Sequence, residues 1–123
     1  MSIVNRIRTE IAAGTTIPKP KATKPFKVKG WGRRRGEPAL VYQIPSHTNP
    51  DKPGEKGVAE SEFTAAYAEL VRAGELTRKW FDKHLKACNK EGSCSFTTIG
   101  GVFELLKVAK YARTGVYTRN VEE

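Results

Sequence analysis

The segment FTTIGGVFELLKVAKYARTGVYTR, residues 96–119, decides the fold because a helical pattern runs directly into a hairpin pattern. Its first half places apolar residues on one helix face, namely Ile99, Val102, Phe103 and Leu106. Thr97 or Thr98 can cap that helix. Residues 110–118 then alternate side chains around Thr114 and Gly115, which predicts a β-hairpin.

Two further amphipathic helices are predicted immediately before this segment. Ser61 can cap the first of them and Gly74 can end it. The apolar face of this helix holds Phe63, Ala66, Tyr67, Leu70 and Val71. Thr77 can cap the second, whose stripe is Trp80, Phe81, His84, Leu85 and Cys88. A polar break with Gly92 separates it from the third helix.

Two strands are predicted further towards the N-terminus. Residues 26–32 and 39–44 have the composition of strands, and Gly36 and Pro38 supply the turn between them. Residues 46–57 are rich in Pro, Gly and charged side chains, so we expect a loop there.

The first 25 residues are predicted to be a basic flexible arm. Prolines bar a helix over residues 14–24, which favours an extended linker. An earlier stretch spaces Ile3, Ile7 and Ile11 as in a short amphipathic helix, which could dock or fray.

The predicted organisation is one compact domain over residues 26–119, with a tail over residues 120–123. Strands followed by helices and a final hairpin indicate an α+β fold. We expect an N-terminal β-hairpin followed by a three-helix unit with a C-terminal hairpin.

Charge is strongly segregated along the chain, whose net charge is +9. Residues 1–36 hold ten Lys and Arg against one acid, for a net +9. Residues 37–75 are net −4, residues 76–119 are net +6, and the last four residues add −2. Clustered cations of this kind suit a polyanion, because phosphate neutralisation releases counterions.

The order of helices and hairpin over residues 59–119 resembles a winged helix-turn-helix domain. That resemblance implies that the third helix, residues 98–108, enters the DNA major groove and that residues 110–119 form the wing. Phosphate contacts would come from the wing and the second helix, namely from Lys110, Arg113, Arg119, Arg78 and Lys79. The polar face of the third helix would contribute Thr97, Thr98 and Lys107.

This third helix departs from the resemblance in two ways. Its polar face lacks the Arg, Asn and Gln that contact base edges in pairs of hydrogen bonds. It also contains Gly100 and Gly101, each of which lowers helix stability by about 1 kcal/mol relative to Ala. The glycines either allow close approach to a phosphate or to another backbone, or allow tight packing against Trp80 or Phe81.

The segment KGWGRRRG, residues 29–36, is a second candidate site. An accessible Trp31 beside arginines would form a base-stacking platform with phosphate clamps. The residues assigned to it are Lys27, Lys29, Trp31, Arg33, Arg34 and Arg35. Alternatively, Trp31 anchors the hairpin to the core and the arginines form a solvated turn.

A weak metal-site candidate consists of His84, Cys88 and Cys94, for which zinc would need a fourth ligand such as His47. Two reduced structural thiols are the favoured interpretation. A reversible disulfide between Cys88 and Cys94 ranks between free thiols and a zinc site. We therefore expect no cofactor and no metal. The chain contains no P-loop, GxSxG or HExxH motif, so we do not expect an enzyme.

Together these patterns predict a small cytoplasmic nucleic-acid-binding protein, with duplex DNA favoured over RNA and with no membrane partner. Contacts would come from the basic arm, the Arg-rich turn and the wing. One alternative is a protein-interaction adaptor, as in phages or mobile elements, whose basic arm binds an acidic partner. A second alternative is a nucleic-acid enzyme or its accessory subunit. A homodimer or another protein partner is left open.

Overall fold

The structure, a computed structural model, describes residues 2–21, 25–45 and 53–120. Over these residues the chain is an α+β protein with five helices and two antiparallel sheets. The helices are α1 (Ile3–Glu10), α2 (Glu60–Ala73), α3 (Arg78–His84), α4 (Lys86–Glu91) and α5 (Ser95–Leu105). The strands are β1 (Thr16–Ile17), β2 (Phe26–Arg34), β3 (Glu37–Ile44), β4 (Gly54–Ala59), β5 (Glu75–Thr77), β6 (Ala109–Arg113) and β7 (Val116–Arg119). None of the described helices is long and apolar enough to cross a membrane.

The first sheet has the strand order β1-β2-β3-β4, and its centre is the predicted β2–β3 hairpin. Arg35 and Gly36 form the turn with φ of 53° and 76°, the left-handed pair that a tight hairpin turn requires. The loop predicted over residues 46–57 is wrong from Gly54 onwards, because β4 pairs with β3 from Gly54 to Ala59. Residues 46–52 lie outside the described residues.

The second sheet has the order β5-β7-β6 and confirms the predicted C-terminal hairpin. Its turn lies at Thr114 and Gly115, where Gly115 has φ of 78°. The Gly115 carbonyl accepts a hydrogen bond of 2.8 Å from the backbone N–H of Arg78. The turn of the hairpin is therefore fixed against the start of α3.

The helix ends follow local sequence signals in part. Gly74 ends α2 in the left-handed conformation, with φ of 79°, as predicted. Thr77 caps α3, because its side chain accepts from the backbone N–H of Trp80 at 3.1 Å. The prediction of a cap at Ser61 is wrong, since α2 already begins at Glu60. The single helix predicted after Thr77 is interrupted at Leu85, which separates α3 from α4.

Helix α5 lies in the interior, between the two sheets. It contacts β1 and β4 on one side and β6 on the other, and every residue of it is buried or half-buried. It begins at Ser95, so the predicted caps Thr97 and Thr98 lie within it. A Cβ at Gly100 would overlap the ring of Tyr117, and one at Gly101 would lie 2.5 Å from the Pro18 carbonyl oxygen. The glycines therefore serve close packing, with partners other than Trp80 and Phe81.

The N-terminal segment differs from the flexible arm that was predicted over residues 1–25. Its isoleucines are buried in the core, namely Ile3, Ile7, Ile11 and Ile17. Helix α1 packs on α2, and β1 pairs with β2 through Thr16 and Lys27. Because Ile3, Ile7 and Ile11 are about one helical turn apart, they present one apolar face, whose burial stabilises the segment in place.

Candidate nucleic-acid interface

The arginines of the predicted stacking site bind acids of the same chain. Arg35 contacts the carboxylate of Glu62 at 2.7 Å and that of Glu91 at 2.6 Å, and it also donates to the Gly57 carbonyl. Arg34 contacts Glu91 at 2.8 Å. The hydrogen bonds to Glu62 raise the pKa of the Arg35 guanidinium. These two arginines hold the β2–β3 turn against α2 and α4, so they are not free to clamp a phosphate.

The Trp31 ring is half-buried and partly covered. The Arg8 guanidinium lies 3.9 Å from the centre of the ring, and Arg8 also pairs with Glu60 at 2.7 Å. Lys29 pairs with Glu55 at 2.8 Å. Trp31 and Lys29 line a small groove of about 270 Å³, which also contains Glu55. This arrangement favours the anchoring interpretation of Trp31 over a free stacking platform.

Two exposed cations of this region, Lys27 and Arg33, have no ion pair among the described residues. Arg33 is exposed and donates to the Gly36 carbonyl at 2.8 Å, within its own turn. Lys27 lies on β2. Five of the nine described N-terminal cations thus pair with acids of the same chain, at positions 10, 55, 60, 62 and 91.

The C-terminal region keeps its positive charge. Residues 76–119 hold nine basic side chains, of which Arg78 alone forms an ion pair within the described part of the chain, with Asp82 at 3.2 Å. The other eight are all exposed, and we call them the C-terminal cations: Lys79, Lys83, Lys86, Lys90, Lys107, Lys110, Arg113 and Arg119. They include five of the predicted nucleic-acid contacts, namely Lys79, Lys107, Lys110, Arg113 and Arg119.

Six of the C-terminal cations lie on α3, α4 and β6, whereas Lys107 follows α5 and Arg119 ends β7. Lys79 and Lys83 lie on α3, and Lys86 and Lys90 lie on α4, which follows directly. Arg113 ends β6 beside the turn that is hydrogen-bonded to the start of α3. A polyanion that contacts Arg113 would therefore also approach Lys79.

The predicted contacts Thr97 and Thr98 do not lie on an open helix face, although Thr97 lines a groove beside the C-terminal hairpin. Thr98 is buried and Thr97 is half-buried. Both hydroxyls accept hydrogen bonds from the Lys19 ammonium, at 2.9 Å and 2.7 Å. Since both sides of α5 are covered by sheets, this helix cannot enter a DNA groove without unfolding of the N-terminal segment. That part of the winged-helix expectation does not fit this structure.

A groove of about 450 Å³ opens beside the C-terminal hairpin, and we call it the basic groove. It is lined by Lys19, Lys21, Phe26, Arg78, Phe96 and Tyr111, together with the turn at Thr114 and Gly115. The aromatic side chains come from both sheets and α5, and the cations come from the N-terminal segment and α3. Sequence reasoning missed this groove because it requires Lys19, Lys21 and Phe26 to lie beside residues that are at least 50 positions away in sequence.

Lys19 fixes one wall of the basic groove. Its ammonium donates to the Cys94 carbonyl at 3.0 Å as well as to the two threonine hydroxyls, and it lies 4.3 Å from the centre of the Phe26 ring. Burial lowers the pKa of Lys19 to about 7, while the neighbouring Cys94 thiol acts in the opposite direction. Lys21, by contrast, is exposed and has no ion pair among the described residues.

The weak metal-site candidates lie in three different environments. His84 is exposed and stacks on Trp80, with 5.2 Å between ring centres. Cys88 is buried, and burial raises the pKa of its thiol to about 12. Cys94 Sγ lies 3.2 Å from the hydroxyl of Tyr42. Within residues 2–21, 25–45 and 53–120, no three His, Cys, Asp or Glu side chains could hold a metal ion together.

No protein-family model matches the chain, and no curated protein or solved structure is significantly similar to it. The charges, burial and grooves described above therefore carry the functional inference.

Proposed function

We propose that the protein binds duplex DNA through phosphate contacts from the C-terminal cations. The observation that carries this proposal is their exposure without ion pairs among the described residues, whereas five of the nine described N-terminal cations are paired with acids. Clustered, unpaired Lys and Arg attract phosphates over several ångströms and gain free energy when counterions are released.

The winged-helix-like arrangement is part of this proposal. Helices α2 to α5 precede the β6–β7 hairpin, and β5 pairs with β7, which supports this part of the proposal. The hairpin would then lie along the DNA backbone as a wing, with Arg113 near its turn. Because α5 lies in the interior, the second contact with DNA would come from Lys79 at the start of α3.

This geometry favours binding that depends weakly on base sequence. Lys and Arg contacts to phosphate position a protein on DNA without reading bases. The described surface also offers little apolar area to a protein partner, since Val71 is its one exposed large hydrophobic residue, at 38%. Phosphate contact therefore explains the surface better than an adaptor role does.

The test is fluorescence anisotropy with one labelled duplex DNA, its single strand and the corresponding RNA hairpin, between about 50 and 200 mM salt. We expect the duplex to bind best, with log affinity falling by about 0.9 per neutralised phosphate for each unit of log salt. The variants K79E and R113E should each weaken duplex binding, whereas the matched exposed control K27E should not.

Two results would contradict the proposal. One is an absence of salt-sensitive duplex binding at about 50 mM salt. The other is an equal loss of affinity in K27E and R113E, which would show that net charge alone matters. Binding to a Glu-rich peptide without binding to DNA would support the adaptor alternative instead.

A further inference from the structure

We propose that the basic groove receives one unpaired base of a bound DNA, with the phosphate of that nucleotide on Lys21 and Arg78. This inference rests on the proposed function, because it assigns a substrate feature to a site beside the same hairpin. It predicts a preference for duplexes that carry an extrahelical base, which phosphate contact alone would not produce.

The size and the lining of the groove fit a nucleotide. Its volume of about 450 Å³ lies within the range of roughly 300 to 1,000 Å³ that is usual for small-ligand sites. Phe26 and Tyr111 are half-buried and supply aromatic surface, while Phe96 is buried in the lining, and bases stack on aromatic side chains regardless of sequence. The occupant therefore needs an aromatic ring, and every base provides one.

The charge of the groove selects an anion. Lys21 and Arg78 line it as cations, Lys19 is only partly charged near neutral pH because burial lowers its pKa to about 7, and the described residues of the lining include no carboxylate. Lys19 is engaged by three acceptors and Arg78 by Asp82, so Lys21 is the cation most available to a ligand. An uncharged aromatic compound or an apolar peptide would leave these cations unused.

The position of the groove connects it to the DNA surface. Thr114 and Gly115 line the groove and also form the turn of the hairpin that carries Arg113. A duplex held on the hairpin would present its nucleotides at the mouth of the groove. An unpaired base can enter at small cost, since unstacking and unpairing are the main energetic barriers to extrusion of a base.

The test compares three labelled DNA hairpins: one fully paired, one with a single bulged nucleotide, and one with an abasic site at the bulge. We expect the wild-type protein to bind the bulged base about tenfold more tightly than the other two. The abasic hairpin keeps the extra backbone unit of the bulge, so it isolates the contribution of the base.

Two variants with matched controls assign the preference to the groove. Tyr111→Leu keeps apolar volume but removes the stacking ring. It should reduce the preference for the bulged base from about tenfold to about twofold or less. Tyr67→Leu, at another half-buried tyrosine on α2, should retain the preference. Lys21→Ala changes an exposed side chain and should weaken binding of the bulged hairpin, whereas Lys27→Ala should not.

The outcomes separate this inference from the proposed function. Salt-sensitive binding that is equal for all three hairpins would overturn the base site and leave duplex binding intact. The base site would also be overturned if Tyr111→Leu folds, as shown by its melting curve, and retains the full preference. Absence of binding to every hairpin would overturn both proposals. A Glu-rich peptide that competes for the groove would assign it to an acidic protein partner.

Discussion

The two basic regions of this protein have similar compositions and opposite surroundings. Residues 6–35 hold ten cations, and five of those side chains pair with acids of the same chain at 2.6 to 2.8 Å. Residues 78–119 hold nine, and eight of them face solvent without an ion pair in the described structure. A basic cluster in a sequence thus indicates a polyanion site only where acids elsewhere in the fold do not neutralise it.

The largest expected effect is on stability, at the N-terminal cluster. Arg35→Asn removes the partner of Glu62, a carboxylate that is 8% exposed, while Asn tolerates the positive φ of this turn. Loss of one member of a buried ion pair lowers stability by about 3 kcal/mol or more. Because the Arg35 side chain is 23% exposed, we expect a loss of about 2 to 3 kcal/mol. Urea unfolding measures it.

The matched control is the neighbouring Arg33→Ala. Arg33 is exposed and bonds within its own turn, so its removal should change stability by no more than about 0.5 kcal/mol. If Arg35→Asn left stability unchanged and abolished DNA binding, the contrast between the two regions would be wrong and the Arg-rich turn would be a phosphate site.

The second-largest expected effect is also on stability, in a variant that tests whether the N-terminal segment packs on the rest of the fold. Gly101→Ala places a methyl group 2.5 Å from the Pro18 carbonyl oxygen and 2.7 Å from Ile17, so β1 must shift. We expect a loss of about 1 to 3 kcal/mol by thermal or urea unfolding. Gly54→Ala is the control, because its added methyl makes only an ordinary contact 3.9 Å from Ile44. Equal stabilities of the two variants would instead support the prediction that the first 25 residues form a flexible arm.

Sequence predicted the features that local signals determine. Gly74 ends a helix because only a residue without a side chain readily adopts its positive φ, and Thr77 caps the next helix with its own hydroxyl. The hairpin after Lys110 followed from alternation and turn residues. In each case the deciding atoms lie within a few residues of one another.

The remaining features depend on partners that are distant in sequence. Strand β4 has a composition typical of a loop and is a strand because β3 supplies its hydrogen bonds. Arg35 meets Glu62 and Glu91 after 27 and 56 residues, so no local pattern reveals that these charges cancel. The basic groove joins Lys21 to Tyr111 in the same way. Charge pairing and groove formation were therefore beyond single-sequence reasoning.

The third effect concerns DNA affinity at the exposed region. Arg113→Ala should weaken binding roughly three- to tenfold for every duplex sequence and reduce the salt slope by about one contact. Its stability should stay within about 0.5 kcal/mol of wild type, since Arg113 is exposed and unpaired in the described structure. Anisotropy titrations at several salt concentrations give the affinity and the slope. A sequence-dependent loss would instead indicate that this side chain reads bases.

The smallest effect is the pH dependence contributed by Lys19, an N-terminal cation that points inward. Its pKa falls from an ordinary value of 10.5 to about 7 because the ammonium is desolvated. The unfolded chain therefore binds more protons than the folded chain between these two values, so Lys19 makes stability rise with pH in that window.

The buried Cys88 thiol, whose pKa is raised from 9.0 to about 12, acts in the opposite direction above about pH 9. Between about pH 7 and 8.5 the Lys19 contribution should dominate, at about 1 kcal/mol per pH unit. Urea unfolding of Lys19→Met should lose this rise, and the exposed control Lys27→Met should keep it. If the wild-type protein shows no rise while Lys19→Met is as stable as wild type, the Lys19 ammonium is solvated, and the inward placement that distinguishes it from the C-terminal cations is wrong.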